Sequence, residues 1–426
     1  MQPSKRAQLA IFCTVVVDLL GFGIVIPILP LYAKNLALHP SPWMDWVNHA
    51  LNLKDSPFVF WAGVVLVIHP IAQFIAAPIL GRVSDLVGRR PVLWMSLMGT
   101  CAAYLLMAMT GRFEWVLAAR VLDGVTGGNI SVAQAAMADS SSPQERSKAL
   151  GIIGAAFGLG FVLGPALAGI LSGSAMGKAM LAAHGWHLPF FVAAGMSFLA
   201  SLLVLIWLPE TLTPEARLHA RKVRSRGHAL VNAMKRPGMP QILLIAFLAM
   251  TGFAMMEGTY ALLCARRFNF SQRGVGYLFA YVGILIVIYQ GGLVRVVAKR
   301  IPERVAQLAG LAMMACSLPL IPYAPWEAPF LLVMVPLVWG SGMNQTATSA
   351  LASQITPRDE QGGLFGVITS MSTIGRIVGP LLGTYTFAKF GFAAPYWVAA
   401  GCLAVGLVVA IGLLRTPAPQ PEEDPI

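Results

Sequence analysis

Five charged residues interrupt long stretches of otherwise apolar sequence: Asp18, Arg120, Asp123, Glu257 and Arg376. A charge inside a membrane-length helix costs roughly 2.5–3.5 kcal/mol on insertion scales, so it normally faces a cavity or a partner. Asp18 is a candidate proton or cation site, because a carboxylate held away from water can exchange a proton for a partner. The plainer alternative is a polar contact between helices. Arg120 and Asp123 stand three residues apart, a spacing that puts side chains on one helical face. An arginine paired with a carboxylate is a natural proton switch, since protonating the acid frees the base. Asp18 and Asp123 are both candidates for that acid, and a fixed structural ion pair is the alternative. Glu257 and Arg376 read either as a buried pair or as part of a substrate or proton site, where the arginine could hold an anionic group. Tyr260, Gln73, Asn344 and Gln345 are the polar side chains that could join them. His69, alone in its stretch, reads more simply as a hydrogen-bonded packing residue.

A second charged group occupies residues 81–91, Gly-Arg-Val-Ser-Asp-Leu-Val-Gly-Arg-Arg-Pro. Asp85 and Arg89 are four apart and can pair, and Asp139 closes a later apolar run on the same side and can join them. Gly81 and Gly88 permit sharp backbone turns and close approach, and Pro91 suits the first turn of a following helix. These charges either gate the molecule or merely set its topology. The corresponding turn in the second half, from Gly291-Gly292 to Lys299-Arg300, has no acid.

The elements that carry these residues follow from composition. Of 426 residues 57% are hydrophobic and 11% charged, against roughly 25% charged in a soluble domain; the mean hydropathy is +0.71. About 20 apolar residues cross the bilayer core as a helix. Twelve such stretches are legible, at 8–33, 57–80, 91–110, 114–138, 149–172, 187–208, 240–264, 274–298, 304–323, 327–353, 362–388 and 394–415. They are continuous rather than alternating, which selects helices over a barrel. The fold class is therefore an all-α integral membrane protein. The net charge of +12 lies mostly in alternate loops, a topology signal that puts both termini in the cytoplasm and argues against nucleic acid as partner. Lys5 and Arg6 precede an apolar run without an obvious cleavage site, so an uncleaved first helix is expected. The five cysteines fall in five different stretches without a C-x-x-C, as small buried residues do. No metal-ligand cluster, nucleotide loop or Ser-His-Asp arrangement is legible, so no cofactor and no enzyme activity are expected.

The longest basic polar stretch, 209–239, divides the chain into a six-helix bundle over 1–208 and another over 240–415, with a disordered acidic tail at 416–426. An internal repeat supports this. Ser142-Pro143-Gln144-Glu145 and Gly164-Pro165 match Thr356-Pro357-Arg358-Asp359 and Gly379-Pro380 at an offset of about 214 residues. Within 149–172, Gly160, Gly164, Pro165 and Gly169 form a small-residue face suited to close helix packing.

Several of these strings resemble the major facilitator superfamily. The charged turn at 81–91 is similar to its signature loop between helices 2 and 3. Asp18-Leu-Leu-Gly21-Phe-Gly23-Ile-Val-Ile-Pro27-Ile-Leu-Pro30 resembles the first-helix motif of its twelve-helix drug:proton antiporters. Arg120-Val-Leu-Asp123-Gly124-Val-Thr-Gly127-Gly128-Asn129 resembles R-x-x-Q-G-x-G, with Asp123 where an amide is usual. The stretch from Gly160 to Gly169 resembles the antiporter motif, with Ala168 in place of one glycine. The resemblance spans the whole chain, is strongest over the first 170 residues, and is most like the tetracycline-efflux branch. It implies twelve transmembrane helices in two pseudo-symmetric bundles and a central cavity working by alternating access. It further implies proton-coupled export of an amphipathic organic molecule by a monomer in a bacterial-type inner membrane. Asp18, Arg120 and Asp123 would carry protons. Glu257 and Arg376 would line the substrate side. Gly81, Asp85, Arg89 and Asp139 would latch the cytoplasmic side against the start of helix 11 at Gly362–Leu364. The alternatives are an organic-anion transporter using Arg376 by exchange or facilitated diffusion and, more remotely, a membrane enzyme or sensor on a transporter scaffold.

Overall fold

The structure, a computed structural model, describes residues 3–36, 42–51, 57–140, 146–185, 187–212, 234, 236–356 and 361–414. Most of the 209–239 stretch, the tail, and the repeat elements Ser142–Glu145 and Pro357–Asp359 lie outside the described residues. The first half runs α1 (Pro3–Leu36), α2 (Pro42–Ala50), α3 (Pro57–Val87), α4 (Arg89–Met109), α5 (Phe113–Thr126), a 3-10 turn (Gly127–Asn129), α6 (Ile130–Asp139), α7 (Arg146–Gly173), α8 (Ala175–His184) and α9 (Leu188–Trp207). The second runs α10 (Met239–Arg267), α11 (Gln272–Ile288), a π turn (Tyr289–Leu293), α12 (Val294–Arg300), α13 (Glu303–Leu320), a 3-10 turn (Ile321–Tyr323), α14 (Glu327–Gln354), α15 (Gln361–Phe390) and α16 (Ala394–Leu414). No strand occurs among the described residues.

Among the described residues eight helical stretches are long and apolar enough to cross a bilayer, and a ninth if the pair bent by 67° at Ser174 is one span. The other expected stretches, around 114–138, 149–172, 327–353 and 362–388, are helical as well. Two of them carry strongly polar insertions, Gly127-Gly128-Asn129 and Asn344-Gln345-Thr346, which lower their hydropathy. Large apolar side chains stand outward on the spans; Ile206 is 73% exposed, Leu332 69% and Val408 69%. Such exposure suits a lipid solvent, where apolar side chains need no cover.

Two details differ from the sequence reading. The turn within 81–91 is shorter than the expected span edges at 80 and 91 imply. Helix α3 continues through Val87, and one residue, Gly88 at φ 123°, turns the chain into α4. Only glycine adopts that φ without strain. The second is α8, a short helix capped by Ser174, whose Oγ accepts from Gly177 N at 3.0 Å, and ended by Gly185 at φ 67°. It occupies what reads as a connecting loop.

The described chain forms two compact units: Met1–Arg224 with Glu257–Val287, and Ser225–Met256 with Ile288–Ile426. Two apolar clusters form among the described residues of the first unit. One gathers Ile24, Trp61, Val65, Tyr104, Phe113, Val116 and Phe190. The other gathers Ile11, Val15, Leu93, Leu97, Val132, Met137 and Val204. Along α1, α3 and α5–α6 the stretch between these cores holds the polar residues of the next section. In the second unit, α13 and α14 meet at Gly310 and Gly340; a Cβ on either would stand 2.6–2.7 Å from the other's carbonyl oxygen. Gly375, Gly379 and Gly383 of α15 lie in the same way on the α10 backbone at Phe247, Thr251 and Met255.

Candidate functional site

The mid-helix layer of the first unit brings together Asp18, Arg120 and Asp123. All three are buried, Arg120 completely and Asp18 8% exposed. Arg120 Nη1 donates to Asp123 Oδ2 at 2.6 Å, and Arg120 Nε donates to Val65 O at 3.4 Å. Arg120 Nη2 has no hydrogen-bond partner among the described residues. Pro70 lies inside α3 and has no N–H, so the carbonyl of Leu66, next to Val65, loses its helical partner. Asp18 is within electrostatic reach of Asp123 and faces the Asn129 amide. The Tyr104 phenol faces both carboxylates, and His69 Nε2 stands 3.6 Å from Asp123 Oδ2. Of the two candidate acids, Asp123 is therefore the direct partner of Arg120, and Asp18 is the second carboxylate of the same layer. Two like charges and one cation in a buried layer cannot all ionise cheaply, so the arrangement favours exchange of a proton or of a partner.

Glycines make this layer possible. A Cβ on Gly21 would run into the Tyr104 ring and hydroxyl, and one on Gly124 into the His69 carbonyl. Gly160 and Gly164 are seated on α1 at Leu19, Leu20 and Gly23, with Gly164 2.7 Å (as a Cβ) from both Gly23 Cα and Leu20 O. Pro165 and Gly169 of the same helix receive Gly276 of α11. The small-residue face of α7 thus fixes α1, and with it Asp18.

The charges at the α3–α4 turn form a second cluster. Arg89 Nη1 pairs with Asp85 Oδ1 at 2.7 Å and donates to Ser84 Oγ at 2.6 Å, while Arg89 Nε reaches Asp139 Oδ2 at 3.3 Å. Arg89 is buried. Gly81 O accepts from Ser84 Oγ at 2.7 Å. Glu210, which follows α9, completes the cluster: its carboxylate accepts from Arg89 N at 2.9 Å, Arg90 N at 3.4 Å and Leu212 N at 3.0 Å. It caps the start of α4, where backbone N–H groups lack helical partners and the dipole favours an anion. The backbone of Gly362–Leu364 is helical, but its side chains lie outside the described residues.

The expected substrate residues are divided between the two units. Glu257 is half-buried on α10 and belongs to the first unit; Arg376 is half-buried on α15 and belongs to the second. Tyr260 is fully buried, edge-on to Phe279 at 5.2 Å. Gln73 commits its amide N–H to Gly127 O at 2.7 Å, which ties it to the Arg120 helix. Asn344 is buried and its Oδ1 accepts no hydrogen bond among the described residues, whereas Gln345 is exposed. Among the described residues no three His, Cys, Asp or Glu side chains converge to hold a metal ion.

Tyr104, Asn129 and Glu210 are the members of these clusters that the sequence reading did not single out. Asn129 ends the Arg120–Asp123 string and Glu210 sits in Leu-Pro-Glu-Thr, so both had a signal. Tyr104 is one tyrosine in an apolar helix and had none.

The Major Facilitator Superfamily profile matches residues 11–345 and 298–425. The chain is 29% identical over 422 residues to the tetracycline resistance protein, class D, of Salmonella ordonez, covering 98% of each chain. It is 27% identical to major facilitator superfamily domain-containing protein 10 of Bos taurus, covering 97% of this chain and 92% of the relative. Among solved structures it superposes on the human organic anion transporter MFSD10 (TETRAN) with a TM-score of 0.71 at 25% identity, covering 96% of this chain and 100% of the other. With buried charges set in apolar helices and a profile match along nearly its whole length, the chain belongs to the major facilitator superfamily, and is an integral membrane transporter of small molecules rather than an enzyme.

Proposed function

We propose that the chain is a proton-coupled antiporter that exports amphipathic organic molecules by alternating access. The observation that carries this reading is the buried layer in which Arg120 holds Asp123 at 2.6 Å with Asp18 in electrostatic reach. Asp18 takes up the coupling proton; Arg120 and Asp123 respond to its charge. Similarity to tetracycline resistance proteins supports both the direction and the substrate class. The Arg89 cluster acts as the latch on the cytoplasmic side, with both termini in the cytoplasm and the protein acting as a monomer in a bacterial-type inner membrane. Glu257, Tyr260, Gln73, Asn344, Gln345 and Arg376 are the substrate-side candidates. The test is accumulation of tetracycline in proteoliposomes under an imposed pH gradient. Wild type accumulates it, and Asp18→Asn does not while still exchanging tetracycline across the membrane. If Asp18→Asn accumulates as wild type does, Asp18 is not the coupling site.

A second reading has its own support. Similarity to the human organic anion transporter, together with an arginine half-buried in α15, favours an organic-anion substrate held by Arg376 and moved by exchange or facilitated diffusion. Small aromatic carboxylates would then compete with the transported probe in wild type and not in Arg376→Ala.

A further inference from the structure

We propose that His69 is a proton-carrying member of the coupling layer, whose protonated imidazole competes with Arg120 for the Asp123 carboxylate. This rests on the proton-coupled reading above. The imidazole Nε2 stands 3.6 Å from Asp123 Oδ2, the same oxygen that Arg120 Nη1 reaches at 2.6 Å. A proton added at Nε2 places a second cation against that oxygen. Closing the gap to about 3 Å makes a charge-assisted hydrogen bond and lets Nη1 go.

The surroundings hold the ring to this task. His69 is 6% exposed. Gly124 and Gly127 form its seat on the Arg120 helix: a Cβ on Gly124 would meet the His69 carbonyl, and one on Gly127 would stand 3.2 Å from Nε2. Phe22, one turn beyond Asp18 on α1, lies with its ring centroid 5.4 Å from the imidazole. Among the described residues, the titratable and charged groups facing this layer include Asp18 from α1, Tyr104 from α4, and Arg120 and Asp123 from α5. The neighbouring amide of Gln73 is tied to Gly127 O. Arg120 and Asp123 cancel. An ionised Asp18 with a protonated His69, or both neutral, leaves the layer uncharged, the condition a buried cluster needs. A proton that leaves the Asp18 carboxyl and ends on His69 Nε2 therefore crosses from α1 to α3 without changing the charge of the layer.

The first test needs neither a substrate nor an altered His69 in the protein that is titrated. In wild-type protein labelled with nitrogen-15 at histidine, the His69 imidazole, identified by its loss in His69→Gln, changes between neutral and protonated forms over the range where imidazoles titrate. At a given pH less of it is protonated in Asp123→Asn. An imidazole that stays in one form throughout overturns the proposal. The second test is transport of tetracycline. His69→Gln loses gradient-driven accumulation by about tenfold or more, as removal of a proton-transfer group does, and its pH profile flattens while tetracycline exchange is kept. A wild-type pH profile in His69→Gln overturns the proposal and leaves Asp18 as the coupling site. Absence of gradient-driven accumulation in wild type itself, with exchange present, overturns both.

Discussion

The mid-helix layer of the first unit and its counterpart in the second are built on the same scaffold and differ in charge. At an offset of 215 residues, Gly164-Pro165 corresponds to Gly379-Pro380 and Asn129 to Asn344. Both glycines seat a helix backbone: Gly164 on Leu20 and Gly23, Gly379 on Thr251 and Met255. Arg120 and Asp123, however, correspond to Val335, which is half-buried, and Val338, which is 2% exposed. A fully apolar layer is therefore compatible with this packing. Replacing a buried ion pair by apolar groups is often neutral or stabilising by about 1–4 kcal/mol, so the first unit keeps a costly pair that its fold does not require. The glycines belong to the architecture, and the charges are not demanded by it.

The largest effect that tests this contrast comes from unpairing the charges. Arg120→Met strands Asp123 and is expected to destabilise by about 3–5 kcal/mol, read as a fall in thermal midpoint in detergent. The double change Arg120→Met with Asp123→Leu makes the pair apolar, as Val335 and Val338 are in the second unit, recovers most of that loss, and leaves a folded protein without gradient-driven transport. Equal stability of the single and double variants would break the comparison.

The glycine seats come next. Gly164→Ala and Gly379→Ala each push a Cβ to within 2.7 Å of a facing backbone oxygen. Both are expected to lose about 1–3 kcal/mol, the usual cost of overpacking. A loss in only one would show that the two seats are not equivalent. Gly401→Ala in α16, where a Cβ meets nothing within 4 Å, gains about 0.5–1 kcal/mol instead, because alanine pays less backbone entropy in a helix.

The smallest stability effect lies at the α3–α4 turn. Glu210→Gln keeps an acceptor for the backbone N–H groups of Arg89 and Arg90 but removes the charge at a helix start. Its expected cost is about 0.3–1 kcal/mol, with tetracycline binding unchanged. Arg89→Gln removes the partner of both Asp85 and Asp139 and is expected to slow transport while leaving binding in place. Normal turnover in Arg89→Gln would remove the latch from the mechanism.

Much of this was legible in the sequence because membrane solvent makes rare residues conspicuous. A charge or a Gly-x-x-x-Gly string in an apolar run carries a cost that only a partner or a close packing explains, and Asp18, Arg120, Asp123 and Gly164 all stand where that cost is met. The Asp85–Arg89 spacing announced its pair in the same way. Tertiary partners were less legible. Tyr104 meets the carboxylates only because Gly21 of another helix makes room, and Glu210 reaches Arg89 N across 121 residues of chain. The approach of His69 to Asp123 was not legible because the two stand on different helices. The continuation of α3 through Val87 was hidden because Gly81 signals a turn, whereas the turn is made at Gly88 alone.

The most direct measurement of coupling is proton release from the purified protein in weakly buffered detergent solution when tetracycline binds. Competition between substrate and proton predicts that binding to wild type releases protons into solution and that binding to Asp18→Asn releases none. Binding to wild type without proton release, or undiminished release from Asp18→Asn, would contradict the assignment of the Asp18, Arg120 and Asp123 layer as the coupling site.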